Sequence, residues 1–228
     1  MAKKQDNAPE TTGLDEINDS LTNVTKKVQD NQKLIVTCSL IVVFVAVLVI
    51  AYVYFFRNPS MQKHNDNIGN ADLELALGND SVALAQYIDL ADNGSFEASN
   101  RAALQSAILL YQQGKYEEAL KYADKYSPRE DVIGAGAMSL KGDCLVNLDR
   151  LEEAVKAYEK AISVSDDNAA YTPFFMMKLA RVYHAQNNFS AEAETYGKLQ
   201  KEYPLYGQAH NLDIEKLLDR AKLLAGQK

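Results

Sequence analysis

Any chemistry in this chain must come from few reactive side chains. There are three histidines, His64, His184 and His210, and two cysteines, Cys38 and Cys144. A metal site built on a helix needs ligands three or four residues apart, so that two side chains converge on one ion. No histidine here has a histidine or cysteine at that spacing. The stretch "DNIGNAD" from Asp66 has the spaced oxygens of a calcium loop, but lacks the glycine at its sixth position and the glutamate at its twelfth. Cys144 follows Asp143, whose charge opposes the thiolate a nucleophile requires. Neither a Ser–His–acid grouping nor a glycine-rich phosphate loop is visible. The 31 acidic side chains outnumber the 24 Lys and Arg, and no basic stripe alternates with aromatics. Nucleic acid is therefore not an expected partner. No cofactor, metal or enzymatic activity is expected, which leaves binding as the function to look for.

The elements that would position a binding surface are written twice. "YEEALKYADK" begins at Tyr116 and "LEEAVKAYEK" at Leu151, an offset of 35 residues. Each follows another helical pattern. Ala103, Ala107 and Leu110 share one face before the first phrase, and Met138, Gly142 and Leu145 before the second. Small residues at Ala107 and Gly142, and at Ala119 and Ala154, allow two antiparallel helices to approach closely. Gly142 and Ala154 are expected to face one another. A third copy, "FFMMKLARVYHAQNNFSAEAETYGKLQKEYP", supplies Ala180, Tyr183, Phe189 and Tyr196. It puts Glu192 where alanine belongs, which predicts a helix B shifted by one residue. Ala123 likewise stands where an aromatic is usual. "SVALAQYIDLAD" reads as helix B of a degenerate first unit, with Ala83, Tyr87 and Leu90 on one face and residues 61–78 as its helix A. "NLDIEKLLDRAKLLA" reads as a capping helix with a stripe of Leu212, Leu217, Ala221 and Leu224. This pattern resembles the tetratricopeptide repeat, a 34-residue helix–turn–helix unit that stacks into a solenoid.

Ahead of the repeats, Leu34 to Phe56 is 23 residues without a charge. As a helix it spans about 34 Å, enough to cross the hydrocarbon core of a bilayer. Tyr52, Tyr54, Phe55 and Phe56 crowd one end, where aromatic rings sit at the interface. The run is too long and starts too late for a cleaved signal peptide. Lys26, Lys27 and Lys33 precede it, while Arg57 and Lys63 follow. That bias predicts a cytoplasmic N-terminus and an exported C-terminal domain. The expected layout is thus all-α: a cytoplasmic segment 1–33, a single transmembrane helix 34–56, and an exported tetratricopeptide-repeat solenoid 57–228. Leu14, Ile17, Leu21, Val24 and Val28 form a two-heptad a/d seam in the first segment. It could be a helix on the membrane surface, a coiled coil or disordered chain.

In the repeat register the concave face falls to Leu104, Ile108, Ser139, Asp143, Met177 and Arg181, with Phe174 opening the third unit. Phe174 and Met177 would supply apolar contacts, and Asp143 and Arg181 would orient a protein partner. Some tetratricopeptide proteins clamp a terminal carboxylate with Lys, Asn and Arg. The matching positions here are Leu104, Ile108, Gly136, Leu140, Phe174 and Lys178, so that clamp is not expected.

The layout also resembles the ancillary Sec-translocon subunit family of the YfgM kind, in its Bacteroidota versions. The stretches that carry this are "LGNDSVALAQYIDLAD", "GDCLVNLDRLEEAVKAYEKA", the third copy quoted above and "DIEKLLDRA". The resemblance implies inner-membrane anchoring, a periplasmic repeat domain and partnership with SecYEG. It also implies a PpiD-type membrane chaperone and emerging exported chains as contacts. Asp80-Ser81-Val82 resembles the Asp-Ser/Thr-apolar tripeptide O-glycosylated in exported proteins of that group.

Overall fold

The computed structural model describes residues 21, 22, 24–26, 28–94, 96–128 and 131–226. These fall into two compact units, one ending at Pro59 and one beginning at Ser60. Leu14 and Ile17 of the heptad seam lie outside the described residues; Leu21, Val24 and Val28 are helical and exposed.

The first unit contains α1, Gln32–Tyr52, followed by a π-helical turn, Val53–Arg57. None of these residues is buried by protein. The helix is long and apolar enough to cross a membrane. Its one threonine, Thr37, donates to the Lys33 carbonyl at 2.8 Å, which satisfies the hydroxyl inside the apolar run.

Helix pairs make up the second unit, the first helix starting two residues ahead of its boundary: α2 Asn58–Ala76 with α3 Asp80–Asn93, α4 Phe96–Gln112 with α5 Tyr116–Lys125, α6 Asp131–Asn147 with α7 Leu151–Val164, and α8 Thr172–Ala185 with α9 Phe189–Glu202. A short helix α10, Tyr206–Ala209, and the capping helix α11, Ile214–Leu224, follow. No strand occurs among the described residues.

The repeat is written in the turns as well as in the helices. Each helix A ends on a left-handed residue: Gly78 at φ 80, Gly114 at 74, Asp149 at 58 and Asn187 at 57. In each, that residue's N–H bonds the carbonyl three back and the next N–H bonds the carbonyl five back, as Gly114 to Tyr111 and Lys115 to Leu110. This double bond satisfies the orphan carbonyls of a helix end. Helix B starts two residues after the left-handed position every time, so the degenerate first unit is in register with the others.

That register places Ala83, Ala119, Ala154 and Glu192 at one equivalent, fully buried position. The expected shift of the last helix B is therefore not observed. Glu192 is accommodated because His184 Nδ1 lies 2.8 Å and Arg220 2.9 Å from its oxygens. In α5, Tyr122 fills the aromatic place one residue before Ala123 and donates to Asp92 at 3.1 Å. Gly142 makes its close approach to the ring of Tyr158 rather than to Ala154: a Cβ there would lie 2.7 Å from the ring. On α11 the buried face is Ile214, Leu218 and Ala221, with Leu217 beside it, while Leu224 is exposed. Ser81 is exposed in the first turn of α3.

Candidate functional site

Helices α4, α6 and α8 together wall a cavity of about 380 Å³. Leu104 and Ile108 come from α4; Ile133, Gly136, Ser139, Leu140 and Asp143 from α6; Phe175 and Lys178 from α8. The side chains on α6 recur every three or four residues, the period that brings one face of a helix onto a common line. Ile133 is 46% exposed, so the groove carries apolar surface open to solvent. Gly136 has nothing within 4 Å of where a Cβ would stand, which leaves the middle of the groove open.

The polar end of the groove is closed on itself. Asp143 accepts from Lys178 Nζ at 2.6 and 2.8 Å and from the Tyr158 hydroxyl at 2.6 Å. Lys178 also donates to Ser139 Oγ at 3.1 Å and stands 4.8 Å from the centre of the Phe174 ring. Burial, with the charge of Asp143 behind it, raises the Tyr158 hydroxyl far above the usual phenol range. The same two causes push the neighbouring Cys144 thiol up to about 11. A buried, protonated thiol is not a nucleophile. His184 is bound to Glu192, and His210 packs on Tyr206 with ring centres 4.3 Å apart. Among the described residues no group of three or more His, Cys, Asp and Glu could hold a metal.

Of the residues expected on this face, Leu104, Ile108, Ser139 and Asp143 share the cavity. Four of them differ from expectation. Met177 is 4% exposed and belongs to the core under α9 and α11, because α8 turns that side toward the cap. Phe174 is 44% exposed outside the cavity, where its ring carries Lys178; its neighbour Phe175 forms the wall instead. Asp143 has its oxygens occupied by Lys178 and Tyr158, so it does not stand free to orient a partner. Arg181 lines a separate cavity of about 340 Å³ with Met177, His184, Tyr196, Leu212, Leu217 and Arg220. Ile133 was missed in sequence. The three- and four-residue spacing of Ile133, Gly136, Leu140 and Asp143 would have revealed it had the α6 stripe been followed back one turn.

A family model for a tetratricopeptide repeat-like domain matches residues 65–184. Among solved structures, one of MamA aligns at a TM-score of 0.52 and 17% identity, covering 68% of this chain and 94% of that one. A second MamA structure gives 0.52 and 19%, covering 72% and 88%. A kinesin-light-chain-like protein of Podosopora anserina, made of nearly identical TPR-like repeats, gives 0.53 and 14%, covering 75% and 90%. At these identities the likeness is one of fold. No curated protein sequence matches the chain.

Proposed function

Since the chain belongs to the tetratricopeptide repeat-like domain family, we propose that it is a non-catalytic adaptor, held at a membrane by α1, that binds protein segments in the groove of α4, α6 and α8. The observation that carries this is the apolar wall of that groove: Leu104, Ile108, Ile133, Leu140 and Phe175 meet around an open space, and the one charged pair at its end is already mutually neutralised. An apolar trough on stacked helices suits a length of chain, since each successive helix adds contact surface. The polar groups at its end, Asp143, Lys178 and Ser139, are bonded to one another rather than left free to orient a small substrate.

The partner reading is the translocon. A short N-terminal segment, one apolar helix with its lysines on the N-terminal side, and a repeat domain form the layout of ancillary SecYEG subunits. On this reading the protein sits in the inner membrane with its N-terminus cytoplasmic and its repeats periplasmic. The groove then meets a PpiD-type membrane chaperone or exported chains as they emerge. The test is purification of the tagged full chain in mild detergent. Recovery of SecYEG with such a chaperone supports the proposal. Recovery of a division or outer-membrane assembly complex instead would keep the adaptor and remove the translocon. Recovery of no protein partner contradicts both.

A further inference from the structure

The position eight residues before each helix B is held by Asp72, Ile108, Asp143 and Arg181 in the four units. The two aspartates follow one rule. Asp72 is paired with Arg101 at 2.7 Å, and Asp143 with Lys178 at 2.6 Å. In both cases the cation comes from helix A of the next unit. At the last unit the sign reverses. Arg181 occupies the place, and the capping helix α11, which stands where a next unit would begin, pairs no carboxylate with it. The arginine of α11, Arg220, is directed instead at Glu192. The other arginines described between residues 60 and 226, namely Arg101, Arg150 and Arg220, each hold a carboxylate. Arg181 makes no ion pair or hydrogen bond among the described residues.

The cavity over which Arg181 stands carries one positive charge without a partner. Its walls carry no carboxylate: beside the two arginines and His184 they are Met177, Tyr196, Leu212 and Leu217. Glu192 lies fully buried beneath, where Arg220 balances it. That leaves the Arg181 charge uncompensated in a chain whose formal net charge is −7. Within a surface that is acidic overall, this unpaired guanidinium is a local positive spot, and a carboxylate that arrives with apolar neighbours would meet both the charge and the apolar floor.

We propose that the cavity between α8 and α11 is a docking subsite for a glutamate or aspartate side chain in an otherwise apolar segment of a partner protein, with Arg181 as its counter-ion. The partner thereby continues, with sign reversed, the ion-pair rule by which the units are stapled to one another. Guanidinium suits this role, because its planar donors can grip both oxygens of one carboxylate. The inference concerns a different cavity from the groove above and does not depend on which membrane complex the protein joins.

The test uses the full chain in lipid nanodiscs and a short peptide with one glutamate flanked by leucines. The peptide carries a neutral fluorescent label at its N-terminus and an amide at its C-terminus. Binding is read by anisotropy, with empty nanodiscs as the blank and the glutamine analogue as the comparison. The glutamate peptide is expected to bind about tenfold more tightly than its glutamine analogue, the scale of one hydrogen-bonded charge pair. That advantage should vanish in Arg181→Ala, persist in part in Arg181→Lys, and shrink as salt is raised. Arg181 is exposed and unpaired, so Arg181→Ala should melt with the parent. Equal binding of the two peptides, silence of both, or an advantage that survives Arg181→Ala overturns the proposal. So does tighter binding of a glutamine peptide whose only carboxylate is its C-terminus, which would assign the cavity to chain ends.

Discussion

Replacing Gly142 by alanine tests the helix-pair packing at its tightest point. The added Cβ would lie 2.7, 2.8 and 2.9 Å from three atoms of the Tyr158 ring. Ordinary contact requires the ring to retreat by roughly 0.7 Å. It has little room to do so, since Tyr158 is 3% exposed and its hydroxyl is held by Asp143 at 2.6 Å. Moving the ring lengthens that bond, and overpacking of this kind costs about 1–3 kcal/mol. Weakening a hydrogen bond to a charged group adds a share of its 1.5–3 kcal/mol, roughly. Alanine's better helix propensity returns about 1 kcal/mol. The net is a loss of about 2 kcal/mol, or a Tm lower by about 4–8 °C for a domain of this size. Gly136→Ala is the internal control. It lies on the same helix with open space around it, so only the propensity gain remains, about 0.5–1 kcal/mol, and Tm should rise. Thermal unfolding followed by circular dichroism reads both. A Gly142→Ala protein that melts at or above the parent, or two variants that move together, would refute the packing.

Arg220→Ala should destabilise by about 1.5–3 kcal/mol, because it leaves a fully buried carboxylate with His184 as its one remaining partner. Adding Glu192→Ala should recover most of this, since Ala119 and Ala154 hold the equivalent place; a double variant no more stable than the single contradicts the assignment in chemical denaturation. Cys144, with Cys38 replaced by serine, should resist maleimide until the domain unfolds. Its thiol is raised by burial from 9.0 to about 11, so between those values the unfolded chain has lost a proton that the folded one retains. Stability should therefore fall as pH rises from about 9 toward 11. A denaturation midpoint constant across that window speaks against the buried thiol.

The repeat was legible in sequence because it rests on spacing. Ala107 and Gly142, Ala119 and Ala154, and the phrases that open at Tyr116 and Leu151 recur at a fixed distance of 35 residues. Even the degenerate first unit could be placed from Ala83, Tyr87 and Leu90. What spacing could not convey was which of two adjacent side chains turns inward. Phe174 and Phe175 differ by a rotation of about 100° on α8, and only the packing of α8 against α6 decides that Phe175 walls the groove. Met177 is buried because the cap covers that side, and a cap's seat is not encoded in the helix it covers. Glu192 read as a break in register because its neutralising partner, Arg220, lies 28 residues away. Asp143 read as a free acid for the same reason: Lys178 reaches it from the next unit.

The central claim is that the groove of α4, α6 and α8 is where the protein meets its partners, and site-specific photocrosslinking in intact cells measures it most directly. A photoreactive residue at Ile133, exposed in the groove wall, is compared with one at Lys156, exposed on α7 away from it. Discrete protein crosslinks are expected from Ile133, SecYEG subunits or a membrane chaperone among them, and none of these from Lys156. Equal labelling from the two positions, or no crosslink from Ile133, would contradict it.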